Sequence, residues 1–270
     1  MKSNNKIIFL GVKRVGLIAL ECFIKLVEVE LVITTDNVEN KELLGLAKKH
    51  NIPTYINPDF KNSYLINSIK NKNIDTAISV SYPRIIPEIF FKIFKNGMYN
   101  FHPAKLPNYR GNFPTMWPIL NGDKYASYTL HLIDKGIDTG PIINIITIKI
   151  DKKDTGWSLY QKLINILPSF INQSIDSIFL DNKKYYRQNS KDAKYYSKDI
   201  PNDRLIDLSW NASYIVDFVR ALYSPIHNSA YLMDGQNKIE IMQAEHLLNI
   251  DNYQNNSKNY IIFQCSQGFI

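Results

Sequence analysis

The most restrictive feature of this 270-residue chain is the alternation, over its first hundred residues, of apolar runs with stretches of helical periodicity. Residues 6–12, 29–34, 53–56 and 76–80 read as strands, while residues 15–26, 42–50 and 63–70 carry apolar side chains at helical spacing. Strand following helix following strand predicts right-handed crossovers and a parallel sheet covered on both faces. The result is an α/β fold with its ligand crevice at the carboxyl ends of the strands. The first strand-to-helix turn, Gly11-Val12-Lys13-Arg14-Val15-Gly16, has Lys13 where a dinucleotide-binding turn needs its second glycine. No acidic residue closes the second strand, and only Asp36, just beyond it, keeps a nicotinamide site open, so that cofactor is not expected.

After Asp151 the texture changes. Residues 158–180 predict a long amphipathic helix, and residues 185–199 are polar and Tyr-rich without periodicity. The chain is therefore divided into a catalytic domain over 1–183, a linker over 184–203 and a small β-rich unit with one helix over 204–270. In that last unit a helix is expected over 213–222 and strands over 229–233, 238–244 and 260–264, with Asp234-Gly235 as a turn. The last of these strands is expected to lack most of its return partner, which suggests a chain cut short at Ile270.

Composition narrows the function classes. Net charge is 32 basic minus 25 acidic residues, or +7, but only six of the basic residues are Arg, and no run of five like charges occurs. Nucleic acid is not an expected partner, and the six Arg residues are the better candidates for phosphate contacts. No run of eighteen apolar residues and no leader-like start are present, so a cytoplasmic protein without a membrane partner is expected. Two cysteines, Cys22 and Cys265, and five scattered histidines give no metal-ligand spacing, and no metal is expected.

Residues 100–141 are dense in groups that are costly to keep unless used. Asn100 and His102 lie two apart at the end of a probable strand, hence on one face, and Pro103 stops the strand so that the pair sits at the mouth of the crevice. A loop follows, with Tyr109, Arg110 and Asn112, then an expected amphipathic helix over 112–122, a strand over 128–133 and a polar turn from Asp134 to Pro141. An asparagine, a histidine and an aspartate suffice for acyl transfer without a covalent intermediate. Asn100 would donate to an oxyanion, His102 would take a proton from an attacking amine, and Asp138 would hold the imidazole in one tautomer, raise its basicity, or help deliver a proton to the leaving nitrogen. Singly, each also fits a structural role as turn former or strand-edge residue.

The stretch Asn100-Phe101-His102-Pro103-Ala104-Lys105-Leu106-Pro107, with Tyr109-Arg110-Gly111 and Asp138-Thr139-Gly140-Pro141, resembles the core of the 10-formyltetrahydrofolate-dependent formyltransferases over about residues 5–180. The resemblance implies a Rossmann-like formyltransferase domain with Asn100, His102 and Asp138 as the catalytic trio and 10-formyltetrahydrofolate as formyl donor. It further implies that the loop Ser81-Tyr82-Pro83-Arg84-Ile85-Ile86-Pro87 and the turn from Asp134 to Asp138 wall a folate pocket. Tyr82, Arg84, Ile85 and Ile86 would then line one wall and Asp134, Gly136 and Ile137 the other. For Ile85 and Ile86, packing under the loop is the alternative.

Within that family, length and the short C-terminal unit make the chain most similar to the N-formyltransferases of nucleotide-linked amino sugars. Methionyl-tRNA formyltransferase and, outside enzymes, a nucleotide-sugar or RNA binding module on the same fold are the alternatives. The resemblance implies a nucleotide-linked, dTDP-type dideoxy amino sugar as acceptor and a formamido sugar for surface polysaccharide as product. Arg110, Arg204 and Arg220 would meet a diphosphate and Tyr109 or Trp210 would stack on a base, with Asn112 nearby. Core packing for Trp210 and an ion pair for Arg220 are the structural alternatives. Exposed strand edges in the β-rich unit lead to the expectation of a homodimer.

Overall fold

A computed structural model of the chain describes residues 5–225, 228–246 and 262–270. Its first half runs β1 (Lys6–Gly11), α1 (Lys13–Leu26), β2 (Glu28–Thr34), α2 (Lys41–Lys49), β3 (Thr54–Ile56), α3 (Ser63–Asn71), β4 (Thr76–Val80), α4 (Glu88–Phe91), β5 (Gly97–His102) and β6 (Arg110–Gly111). There follow α5 (Met116–Leu120), β7 (Tyr125–Leu132), β8 (Ile142–Lys149), α6 (Gly156–Phe179), β9 (Tyr195–Tyr196), α7 (Ala212–Leu222), β10 (Ala230–Asp234) and β11 (Asn237–Ile241).

Seven strands form one sheet in the order β3-β2-β1-β4-β5-β7-β8, parallel from β3 to β5, with β7 antiparallel to β5. The order reverses between β1 and β4, which is where an α/β sheet opens a crevice beyond its strand ends. Period-two alternation sorts the two faces. Ile8 and Leu10 of β1 join Ile33, Leu65 and Phe90 in one apolar cluster. Phe9 turns the other way onto Phe23 of α1, with ring centroids 5.6 Å apart, and Phe101 of β5 continues that layer to Phe170 of α6 at 5.5 Å.

The turn after β1 is built without the missing glycine. Lys13 itself takes the left-handed conformation at φ 58°, and its N–H donates to the buried Asn40 Oδ1 at 2.6 Å. A Cβ on Gly16 would press on the backbone of Gly11, so a glycine is required where α1 crosses β1 closely.

Two expectations are corrected. The helix expected over 112–122 shrinks to α5, because Phe113 is left-handed at φ 54° ahead of Pro114, and a residue before proline is barred from the helical region. The division at 183 and 204 also fails. Contacts group the chain into two interleaved units, the first running to Gly111 and resuming over Ser127–Thr147 and Leu163–Tyr195. The second takes Asn112–Ala126, Ile148–Lys162 and everything from Tyr196. Its core explains why: Met116, Ile119 and Leu159 are buried in one cluster with Ile206, Phe218 and Leu232.

Much of the expected linker is docked. Tyr186 exchanges both backbone hydrogen bonds with Ile142 at 2.8 Å, and Arg110 N–H donates to Lys194 O at 3.0 Å. In the second unit β10 and β11 form a hairpin closed by Gly235 and Gln236, with Gly235 at φ 58°. The strand expected over 260–264 lies partly outside the described residues; Phe263 there pairs with Ile270 through two backbone bonds of 2.9 and 3.0 Å. Among the described residues no helix is long and apolar enough to cross a membrane, and no cluster of side chains has the makings of a metal site.

Candidate active site

The end of β5 sets the first two side chains. Tyr99 and Phe101 point into the core, so Asn100 and His102 face the other side, where antiparallel β7 brings His131 opposite Asn100 and Thr129 opposite His102. His102, only 6% exposed, places Nε2 2.8 Å from the carbonyl of Tyr109. A carbonyl only accepts, so Nε2 carries the hydrogen and the lone pair of the neutral ring sits on Nδ1. Nδ1 in turn lies 3.7 Å from Asp138 Oδ2. The sequence suggested that Asp138 holds the tautomer; the Tyr109 carbonyl fixes it instead, and the carboxylate is left beside the nitrogen that bears the lone pair.

His131, missed in the sequence, completes the arrangement. Its Nδ1 donates to Leu132 O at 2.9 Å, which leaves Nε2 to accept from Asn100 Nδ2 at 3.2 Å. That bond uses one amide hydrogen of Asn100 and leaves the second for another acceptor. The same Nε2 lies 3.5 Å from Asp138 Oδ1. Asn100, His102, Asp138 and His131 thus converge.

Asp138 arrives on the turn between β7 and β8. Asp134 accepts from Gly136 N–H at 3.1 Å and from the Thr139 hydroxyl, which tightens the turn, and Asp138 itself is left-handed at φ 54°. Gly111 N–H donates to Asp138 Oδ2 at 2.9 Å. Burial alone would raise the Asp138 carboxyl, but His102, His131 and the Gly111 amide outweigh it and hold the group well below the usual carboxylate range. Burial pushes His102 below its ordinary value of 6.5; Asp138 opposes and His131 reinforces that shift. At neutral pH the pair is a neutral imidazole beside an ionised carboxylate. A Cβ on Gly140 would collide with the carbonyl of Leu132. Gly140→Ala is expected to displace the turn and lower kcat by about tenfold or more, which steady-state kinetics would show beside an unchanged circular-dichroism spectrum.

The other residues singled out from the sequence divide. Tyr82 lies edge-on to Phe60 at 6.0 Å, and Arg84 donates to Pro58 O at 3.2 Å while its guanidinium covers the same ring. Ile86 packs into the core beneath the loop, whereas Ile85 is 80% exposed. The two supposed walls meet: Lys135 reaches Glu88, just past the loop, at 3.3 Å, and Ile133 packs in the same cluster as Tyr82. Ile85 and Ile137 are apolar side chains left exposed on these two loops.

Tyr109 is buried, so its ring offers no stacking face, and its carbonyl is the part in use. Arg110 donates through Nε and Nη2 to Gln188 Oε1 at 3.1 and 2.8 Å. The remaining four belong to the second unit, where Asn112 N–H donates to Tyr196 O at 2.9 Å. Arg204 donates to Ser229 O at 3.1 Å and lies over Tyr231. Trp210 packs on Tyr214 and Phe218, and Arg220 pairs with Asp217 at 2.7 Å and donates to Asp154 O at 2.8 Å. For Trp210 and Arg220 these are the structural alternatives of core packing and ion pair.

A doubly wound sheet with an amide donor, a neutral imidazole and a carboxylate gathered at the end of β5 has the groups that acyl transfer without a covalent intermediate requires. The family model described as formyl transferase matches residues 16–174, and the chain belongs to that family. Among curated relatives, the bifunctional polymyxin resistance protein ArnA of Wigglesworthia glossinidia brevipalpis is 34% identical over 237 residues, covering 85% of this chain and 36% of that protein. GDP-perosamine N-formyltransferase of Brucella melitensis biotype 1 is 32% identical over 167 residues, 62% of this chain and 64% of that one. The chain thus spans between about a third and two thirds of the length of these relatives. Its fold is similar to that of an N-formyltransferase from Helicobacter canadensis, solved with folinic acid and dTDP-3-aminofucose. The TM-score is 0.78 at 24% identity, over 98% of this chain and 97% of that one.

Proposed function

We propose that the protein transfers the formyl group of 10-formyltetrahydrofolate to the free amine of a nucleotide-linked amino sugar. One observation carries the reading: the proton-accepting nitrogen of His102 faces an ionised Asp138 while Asn100, on the same strand face, keeps an amide hydrogen free. The likeness to the Helicobacter canadensis structure and to the Brucella enzyme supports an amino-sugar acceptor. A dTDP carrier, a dideoxy sugar, a surface-polysaccharide product, a cytoplasmic location and a homodimer belong to the same reading.

The exposed Ile85 and Ile137 would meet the flat ring system of the folate, with Tyr82, Arg84 and Ile86 on the one loop and Asp134 and Gly136 on the other as the remaining lining. The folate, when bound there, supplies an activated formyl carbon. His102 removes a proton from the acceptor amine at Nδ1 as the nitrogen bonds to that carbon. Asn100 donates its second amide hydrogen to the formyl oxygen as it becomes negative. Asp138 stabilises the imidazolium, and His102 then returns the proton to the departing nitrogen, so protons and charge balance over the cycle. Arg110 has donors beyond the two given to Gln188 and would meet the diphosphate. Arg204, Trp210 and Arg220 are left out, since their side chains are already held.

A mass-spectrometric assay would offer 10-formyltetrahydrofolate with dTDP-linked 3-amino and 4-amino sugars, GDP-perosamine and methionyl-tRNA. Gain of one formyl group on a nucleotide sugar is the expected result. Gain on the tRNA alone, or on none of them, would overturn the reading.

A further inference from the structure

We propose that Gln188 is a positioning residue that fixes the Asp138 turn and the Arg110 guanidinium in one register. This rests on the formyl-transfer reading. Gln188 lies in the stretch expected to be a linker, yet both ends of its amide are engaged. Nε2 donates to the carbonyls of Asp138 and Gly140 at 2.9 and 2.7 Å, and Oε1 accepts the two Arg110 bonds of 3.1 and 2.8 Å.

The turn needs such a hold. Asp134 closes the turn through Gly136 and Thr139, but neither bond engages the Asp138 peptide, which sits between them in a left-handed conformation that a non-glycine residue keeps only when its surroundings impose it. Gly111 N–H grips the Asp138 carboxylate and Gln188 grips the Asp138 peptide, so side chain and backbone are fixed independently. Because Arg110 precedes Gly111 and shares Gln188, an anionic group drawn to the guanidinium is placed at a set offset from the carboxylate. Only an amide does both jobs. A carboxylate accepts from Arg110 but gives the two carbonyls no hydrogen, and an alkyl group does neither.

The variants Gln188→Glu and Gln188→Leu of the full chain separate the two functions. Steady-state formylation of the amino sugar the wild type uses is read beside hydrogen exchange of peptides covering 106–112 and 134–141. Gln188→Glu is expected to lower kcat about tenfold, to raise the acceptor KM because its charge competes with the diphosphate for Arg110, and to raise exchange over 134–141 only. Gln188→Leu is expected to lower kcat as much, raise the acceptor KM and raise exchange in both peptides. Wild-type kcat and exchange in both variants, or a lowered Tm with kcat per folded molecule unchanged, would overturn the proposal. If the wild type formylates no sugar, the formyl-transfer reading fails. The exchange measurement requires no turnover and still decides whether Gln188 holds the two segments.

Discussion

Replacing Asn100 by alanine is expected to lower kcat by about two to three orders of magnitude, the usual loss when an oxyanion donor is removed from a buried site. The expectation follows from where the amide hydrogens go. One is bonded to His131 Nε2 and orients the group; the other meets the acceptor oxygen only as negative charge develops there. An interaction made in the transition state and not in the ground state lowers kcat when lost and leaves KM nearly alone. Rates and Michaelis constants for both substrates would check this, with thermal unfolding as control, since His131 Nε2 loses a partner in the variant. A kcat within a few-fold of wild type would remove Asn100 from the chemistry.

The second large effect is expected at Asp138. Asp138→Asn keeps the size of the side chain and an oxygen for Gly111 N–H, but removes the charge beside His102 Nδ1. General-base catalysis is worth roughly a hundredfold or more, and kcat is expected to fall on that scale. The sign of the pH effect is more telling. His102 is neutral and competent above its depressed pKa and loses activity as pH falls through it, while Asp138 stays ionised across that range. In the wild type the carboxylate raises the His102 pKa against burial and His131. Without it the acid limb of kcat/KM moves to lower pH even as the plateau drops. A limb that stays in place, or moves up, would mean that Asp138 does not act through His102.

These expectations show which parts of the site were written plainly in the sequence. Asn100 and His102 were legible because a strand has a period of two and Pro103 marks its end. Asp138 was legible because Asp-Thr-Gly-Pro is turn chemistry next to an apolar strand. The sheet followed from alternating periodicities, with element ends shifted by a residue or two. His131 was hidden because its partner is set by strand register 31 residues away, and inside an apolar run a histidine looks like filling. Tyr109 contributes a carbonyl, and backbone groups leave no trace in residue identity. Gln188 sits where polarity without periodicity reads as linker. At Trp210 and Arg220 residue type promised a ligand contact, and local packing claims both side chains.

The interleaving of the two units bears on how the molecule is made. A chain that emerges from its N-terminus can lay down β1 to β5 as it is synthesised, since each parallel strand finds an earlier neighbour. Met116, Ile119, Leu120, Ala126, Ile150 and Leu159 emerge early, but the rest of their cluster begins at Ile206. Until the chain beyond Leu159 has been made, these apolar side chains lack the larger part of their cluster. The nascent protein passes through a stage in which the strand of its candidate site is already in place and the first part of its other core is still waiting, which is the stage at which a chaperone has most to cover.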